Sequence, residues 1–292
     1  MRVGKSLVAA LLVFVSSFLL LYAPVLRSLV SDWTTDDNYS HGFVIVPFAV
    51  WFAWERRARL AAAVVAPSVA GLLVLVGGLA LLLVGLLGAE RFLTRISMLV
   101  VIAGGLAFVR GWQSVKVLAF PLAFLLLMIP IPEIIFSRIA FPLQLLASRV
   151  GETMLSALSI PVLREGNLII LARTTLEVAE ACSGIRSLIS LLTLGIIYGY
   201  FLDSRLSVRT AVALATVPIA IVANSVRVAG TGVAAHHFGE EAAQGFFHTF
   251  SGWLVFGVAF GLLFLASQVV LRFLPPPAVV ETEGTGRRGW HR

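Results

Sequence analysis

The feature that most constrains this chain is a succession of apolar runs, each near the length at which a helix crosses a bilayer. About 20 residues suffice, because each rises about 1.5 Å through a hydrocarbon core of about 30 Å. No water is available there to satisfy backbone N–H and C=O groups, so a crossing run must bond internally as a helix. Eight segments read as crossings: 7–26, 41–54, 68–88, 92–109, 117–135, 184–202, 210–228 and 252–273. The second is short, and the fifth contains Pro130 and Pro132, which supply no backbone donor and end the regular helix. With 59% hydrophobic and 13% charged residues the composition excludes an ordinary soluble domain. The first run follows Arg2 and Lys5 but outruns the apolar stretch of a signal peptide, and it reads as a retained helix. The fold class expected is therefore an all-α, polytopic helical membrane bundle.

A net charge of +7 raises nucleic acid as a partner, but a phosphate-binding surface needs its Lys and Arg clustered on one soluble face. Here they stand at the ends of apolar runs, which excludes nucleic acid and leaves the lipid bilayer as the partner. With the N-terminus inside, the inner loops receive Arg56, Arg57, Arg59, Arg110, Lys116, Arg205, Arg209 and Arg272, as the positive-inside bias requires. Arg91 and Arg95, in one short outer loop, run against it. Residues 139–160 are apolar but carry Arg149 and Glu152, each costly at a bilayer centre, so an interfacial or re-entrant helix on the outer face is expected. The next stretch, 161–178, reads as a short hairpin turning at Gly166-Asn167. Residues 1–274 form one transmembrane domain on this reading, and 275–292, opened by three prolines, a disordered cytoplasmic tail.

The single cysteine, Cys182, excludes an internal disulfide and a cysteine-based metal cluster. Under this topology Cys182, Arg227 and His248 reach the same outer membrane face from three non-adjacent segments. Each has a plain alternative: Cys182 as small-residue packing, Arg227 snorkelling to headgroups, His248 as an interfacial histidine. A thiol at a helix N-terminus near a guanidinium is, however, set up to ionise, and His248 is the best acid–base candidate. Asn224 and Ser225, just before Arg227, make a polar patch that faces something other than lipid. Glu180 and Arg186 flank the cysteine and either orient the site or form an interfacial ion pair. His41, in Asn38-Tyr39-Ser40-His41-Gly42, touches the site or caps a helix. His236 and His237 point in different directions with no well-spaced third ligand, so no metal and no cofactor are expected.

The run Glu177-Val178-Ala179-Glu180-Ala181-Cys182-Ser183-Gly184-Ile185-Arg186-Ser187-Leu188 resembles the cysteine motif of the exosortase family. Asn224-Ser225-Val226-Arg227-Val228 resembles its arginine motif and Gly245-Phe246-Phe247-His248-Thr249-Phe250-Ser251-Gly252-Trp253 its histidine motif. Tyr39-Ser40-His41-Gly42 and Met128-Ile129-Pro130-Ile131-Pro132 extend the resemblance upstream, and the chain reads as a stand-alone member without the extra soluble C-terminal domain. The resemblance implies a cysteine protease or transpeptidase of a bacterial inner membrane, active at its periplasmic face, in the PEP-CTERM type of protein sorting. Its substrates would be membrane-anchored proteins with a C-terminal sorting signal of short motif, transmembrane helix and basic end. It also implies that Cys182, Arg227 and His248 are catalytic. Two rivals predict tolerance of Cys182→Ala: a transport component for exopolysaccharide or lipid-linked sugar, and a non-catalytic scaffold.

Overall fold

In the computed structural model, which describes residues 2–172, 174–177, 184–239 and 246–275, the chain forms the expected all-helical polytopic bundle. Its helices are α1 (Arg2–Thr35), α2 (Gly42–Glu55), α3 (Arg57–Ala62), α4 (Val69–Leu87), α5 (Arg91–Arg110), α6 (Trp112–Val117) and α7 (Ala119–Phe124). They continue with α8 (Glu133–Ala157), α9 (Gly184–Leu202), α10 (Leu206–Phe238) and α11 (Phe246–Phe273). Among the described residues six helices are long and apolar enough to cross a membrane, with Ala119–Met128 and Ser187–Leu202 as shorter apolar segments.

The fifth expected crossing departs most from a regular span. It divides into the end of α6, α7 and a 3-10 turn at Leu125–Met128, and stops at the two prolines. Pro132 cannot donate to the carbonyl four residues before it, Met128, and the Trp33 indole N–H of α1 does so instead at 3.0 Å. His41 Nε2 likewise bonds the Leu127 carbonyl at 3.1 Å, so the α1–α2 connection repairs the broken segment.

Three apolar clusters hold the bundle together. The first joins α1, α2, α5 and the Leu125–Met128 turn around Tyr22, Leu29, Ile45, Phe52 and Phe124. The second joins α9, α10 and α11 around Leu191, Val212 and Leu263. The third unites α8, the strands and the last third of α10 through Leu155, Ile169, Leu176, Val228 and Ala235. The strands are β1 (Val162–Glu165), β2 (Leu168–Leu171) and β3 (Thr175–Glu177), an antiparallel sheet in the order β1-β2-β3. The hairpin expected from Gly166-Asn167 is thus present, with Glu165 paired to Leu168 across the turn, and a third strand extends it.

The segment expected to lie at the interface forms most of α8, a helix of 25 residues that by length and composition alone also suffices to cross a membrane. Its polar residues are used by the sheet: Glu152 accepts from Arg164 of β1 at 2.9 Å, and Ser148 donates to the Gly166 carbonyl at 3.0 Å. α8 runs in the same direction as α10, since Gly151 faces Val228 and, one turn on in each helix, Leu155 faces Gly232. A methyl group on Gly151 would come within 2.6 Å of Val228, so only glycine permits this approach.

A cluster of basic residues, Arg56, Arg110, Arg205 and Arg209, lies at the end of the bundle opposite the sheet. Arg56, the residue just after α2, donates to the Tyr200 hydroxyl at 3.0 Å, and that hydroxyl donates to Glu55. Arg209 of α10 lies over the Tyr200 ring, 4.1 Å from its centroid. Arg110 bonds the Leu60 carbonyl at 2.7 Å, and Arg205 bonds the Leu274 and Pro275 carbonyls at 2.8 and 2.7 Å, tying the α9–α10 connection to the end of α11. Hydrogen bonds from Arg205 hold the Asp203 carboxyl in this connection down at about 2.

Arg95, counted in sequence as an outer-loop charge, is instead buried: its side chain is 2% exposed and donates to Asp32 of α1 at 2.6 Å and to Ser28 at 3.1 Å. Removing one partner of such a pair strands the other charge away from water. Asp32→Ala is expected to destabilise the purified protein by about 3 kcal/mol, whereas Arg91→Ala, whose side chain is 73% exposed, leaves the unfolding midpoint nearly unchanged. Equal midpoints for the two variants in detergent would refute the structural weight given to this pair.

Candidate active site

α9 and α10 are antiparallel neighbours, with Gly195 against Thr216 and Gly199 against Arg209 and Val212. The start of α9 therefore lies at the sheet end, alongside the last third of α10. Cys182 is two residues before α9 begins; it and Glu180 lie outside the described residues, as do residues 276–292 of the tail. Arg186 is in the first turn of α9.

Arg227 is on the same third of α10 and is half-buried. Its guanidinium lies against α11: a methyl group built on Gly252 would stand 3.5 Å from Nη2 and 3.8 Å from Cζ. Gly252 is one helical turn beyond His248, so the two positions share a face of α11. A methyl group at Gly252 would thus only touch the guanidinium, and a larger side chain would displace it. α10 and α11 thus bring the arginine and histidine segments together at one level.

Asn224, one turn before Arg227, is 6% exposed and turns toward α8 and α9, where with Leu143, Ala147, Leu188 and Ala220 it lines a small void. Among the described residues its Oδ1 finds no hydrogen-bond donor. Ser225, also buried, is occupied locally by donating to the Ile221 carbonyl at 2.9 Å. The polar patch inferred from sequence therefore faces the protein interior, as expected, but only Asn224 offers it an uncommitted acceptor.

His41 occupies the cap position of α2 without making a side-chain cap bond. Its Nε2–H donates to the Leu127 carbonyl, and the Asn38 carbonyl also lies beside the ring. The 3-10 turn Asp37–Tyr39 just before it packs on α9. The rings of His236 and His237, in the last turn of α10, stand at 82° to one another.

Sequence reasoning missed the Tyr200–Arg56–Arg209 cluster and the burial of Arg95. A signal existed for the second: an arginine one turn inside an apolar run, and an acid, Asp32, one turn before the end of α1.

The family model of the transmembrane exosortases (Exosortase_EpsH) matches residues 33–265, which include all three motif segments. The chain belongs to the transmembrane exosortase family. No curated protein and no solved structure matches it. The family is one of membrane-embedded enzymes, and the match begins at Trp33, the residue whose indole repairs the carbonyl stranded by Pro132.

An unpaired buried carbonyl carries a cost of about 1–3 kcal/mol. Asn224→Leu, close in size, is accordingly expected to raise the stability of this exosortase by about 1 kcal/mol, read from its unfolding midpoint in detergent. A lowered midpoint would mean that the amide is fully bonded in the protein.

Proposed function

We propose that this exosortase is a cysteine peptidase or transpeptidase that cleaves the C-terminal sorting signal of membrane-anchored proteins. The observation that carries the reading is the seating of the Arg227 guanidinium on Gly252, one turn from His248, beside the helix that Cys182 precedes. The basic end of the bundle faces the cytoplasm of a bacterial inner membrane under the positive-inside bias, which turns the sheet end to the periplasm.

The Cys182 thiolate attacks the scissile carbonyl carbon, and the electron pair of the carbonyl moves to oxygen. Arg227 stabilises the negative charge on sulfur before attack and on that oxygen after it. Collapse of the tetrahedral adduct breaks the C–N bond, and the leaving amine takes a proton from His248, leaving a thioester on Cys182. Water then yields a free carboxylate, or an amine acceptor yields a new amide, and the thiol is restored. Glu180 and Arg186 orient the cysteine segment, and Asn224 and His41 support it from α10 and from the α1–α2 connection. The reaction uses no cofactor or metal.

The test is co-expression with a protein ending in a short motif, an apolar span and a basic cluster, with its processing followed on an immunoblot at matched enzyme levels. Cys182→Ala is expected to abolish processing, and His248→Ala to slow it by about 10²–10⁴-fold. Arg227→Lys should cost about 10²-fold, because an ammonium does not reproduce the planar fork. Undiminished processing by Cys182→Ala would sink the thiol mechanism and favour a transport or scaffold role in polysaccharide export. Gly252 supplies an independent check: Ala should be tolerated and Val should displace the guanidinium, lowering processing about tenfold or more without loss of protein.

A further inference from the structure

A cavity of about 210 Å³ opens on the flank of the bundle between α1, the end of α4 and the start of α5. α1, α4, α5 and the turn between the last two supply every residue that lines it, so it is separate from the α9–α11 site. Its walls are apolar at Pro24, Val25 and Leu86, while Glu90, Arg91 and Arg95 carry charge around it.

The charges are distributed by function. Arg95 is committed to Asp32 and Ser28 and fixes the floor. Arg91 is 73% exposed at the rim and reaches Asp32 only at 3.6 Å, which leaves its guanidinium available to an anion. Glu90 uses Oε2 to cap α5 through the Leu93 N–H at 2.8 Å, and Oε1 remains as an acceptor for a cation. A positive and a negative side chain on consecutive residues therefore stand over an apolar trough, at the turn where α4 ends and α5 begins. That turn lies at the sheet end of the bundle, the depth at which lipid headgroups meet acyl chains.

We propose that this groove binds one phospholipid with a zwitterionic headgroup, its phosphate on Arg91, its ammonium on Glu90 and an acyl chain along Pro24, Val25 and Leu86. Charge complementarity selects the headgroup: a lipid with phosphate alone leaves Glu90 opposing it, and one with neither charge engages neither residue. The site is independent of the proposed reaction and acts on the packing of α1 against α4 and α5.

Native mass spectrometry of the full-length protein, released from detergent with phosphatidylethanolamine, phosphatidylglycerol or diacylglycerol of identical chains, tests it. Phosphatidylethanolamine is expected to bind about tenfold more tightly than either of the others. Arg91→Ala should reduce it to the level of diacylglycerol. Glu90→Gln, which keeps a carbonyl for the Leu93 cap, should erase the preference over phosphatidylglycerol. Leu86→Trp, at a 60% exposed position, should block all three by filling the trough. Equal binding of the three lipids, a preference for phosphatidylglycerol, or unaltered selectivity in Arg91→Ala or Glu90→Gln would each overturn the proposal.

Discussion

α10 runs unbroken for 33 residues, about 50 Å of helix, while the hydrocarbon of a bilayer takes up about 30 Å. The surplus needs cover, because an apolar helix standing clear of lipid exposes what it should bury. α8 and the three strands supply that cover, packing Leu155, Ile169 and Leu176 on Val228 and Ala235. Arg227 sits where the part of α10 held between α9 and α11 passes into the part roofed by α8 and the sheet. A cation at that boundary lies half-buried against α11. The placement of the proposed site thus follows from one helix being longer than a bilayer's hydrocarbon.

The second organising element is the repair of a helix that proline breaks. Pro130 and Pro132 end the fifth segment and leave carbonyls without helical partners, and Trp33 and His41 bond them. These bonds fasten the α1–α2 connection, and the turn at Asp37–Tyr39 then rests on α9. A break in one helix thereby positions a loop against another that carries the site.

What the sequence made legible was whatever follows from hydropathy and local turn chemistry. Apolar runs located the helices, the two prolines located the break, and Gly166-Asn167 located the turn of the hairpin. The motif residues around Cys182, Arg227 and His248 pointed to the family that the match over residues 33–265 establishes. Features that depend on partners distant in sequence stayed hidden. Arg95 read as a loop charge because its partner, Asp32, is 63 residues away, and Tyr200 read as one more apolar-run residue because Arg56 is 144 away. β3 escaped for a related reason: three residues carry too short a pattern to announce a strand until β2 is there to pair with it.

The parallel fit of α8 to α10 also sets an order of assembly. Val228 is synthesised long after Gly151, with the whole cysteine segment between them, and at ribosomal rates that interval lasts several seconds. During it α8 has the strands that follow it to pack on, through Ile169 beside Gly151, but not the α10 surface that Val228 supplies. α11, which brings Gly252 to Arg227, is later still. The nascent chain therefore carries its thiol for several seconds before the groups proposed to activate it have been made, and a ribosome that stops in that interval leaves a fragment with the cysteine but without them.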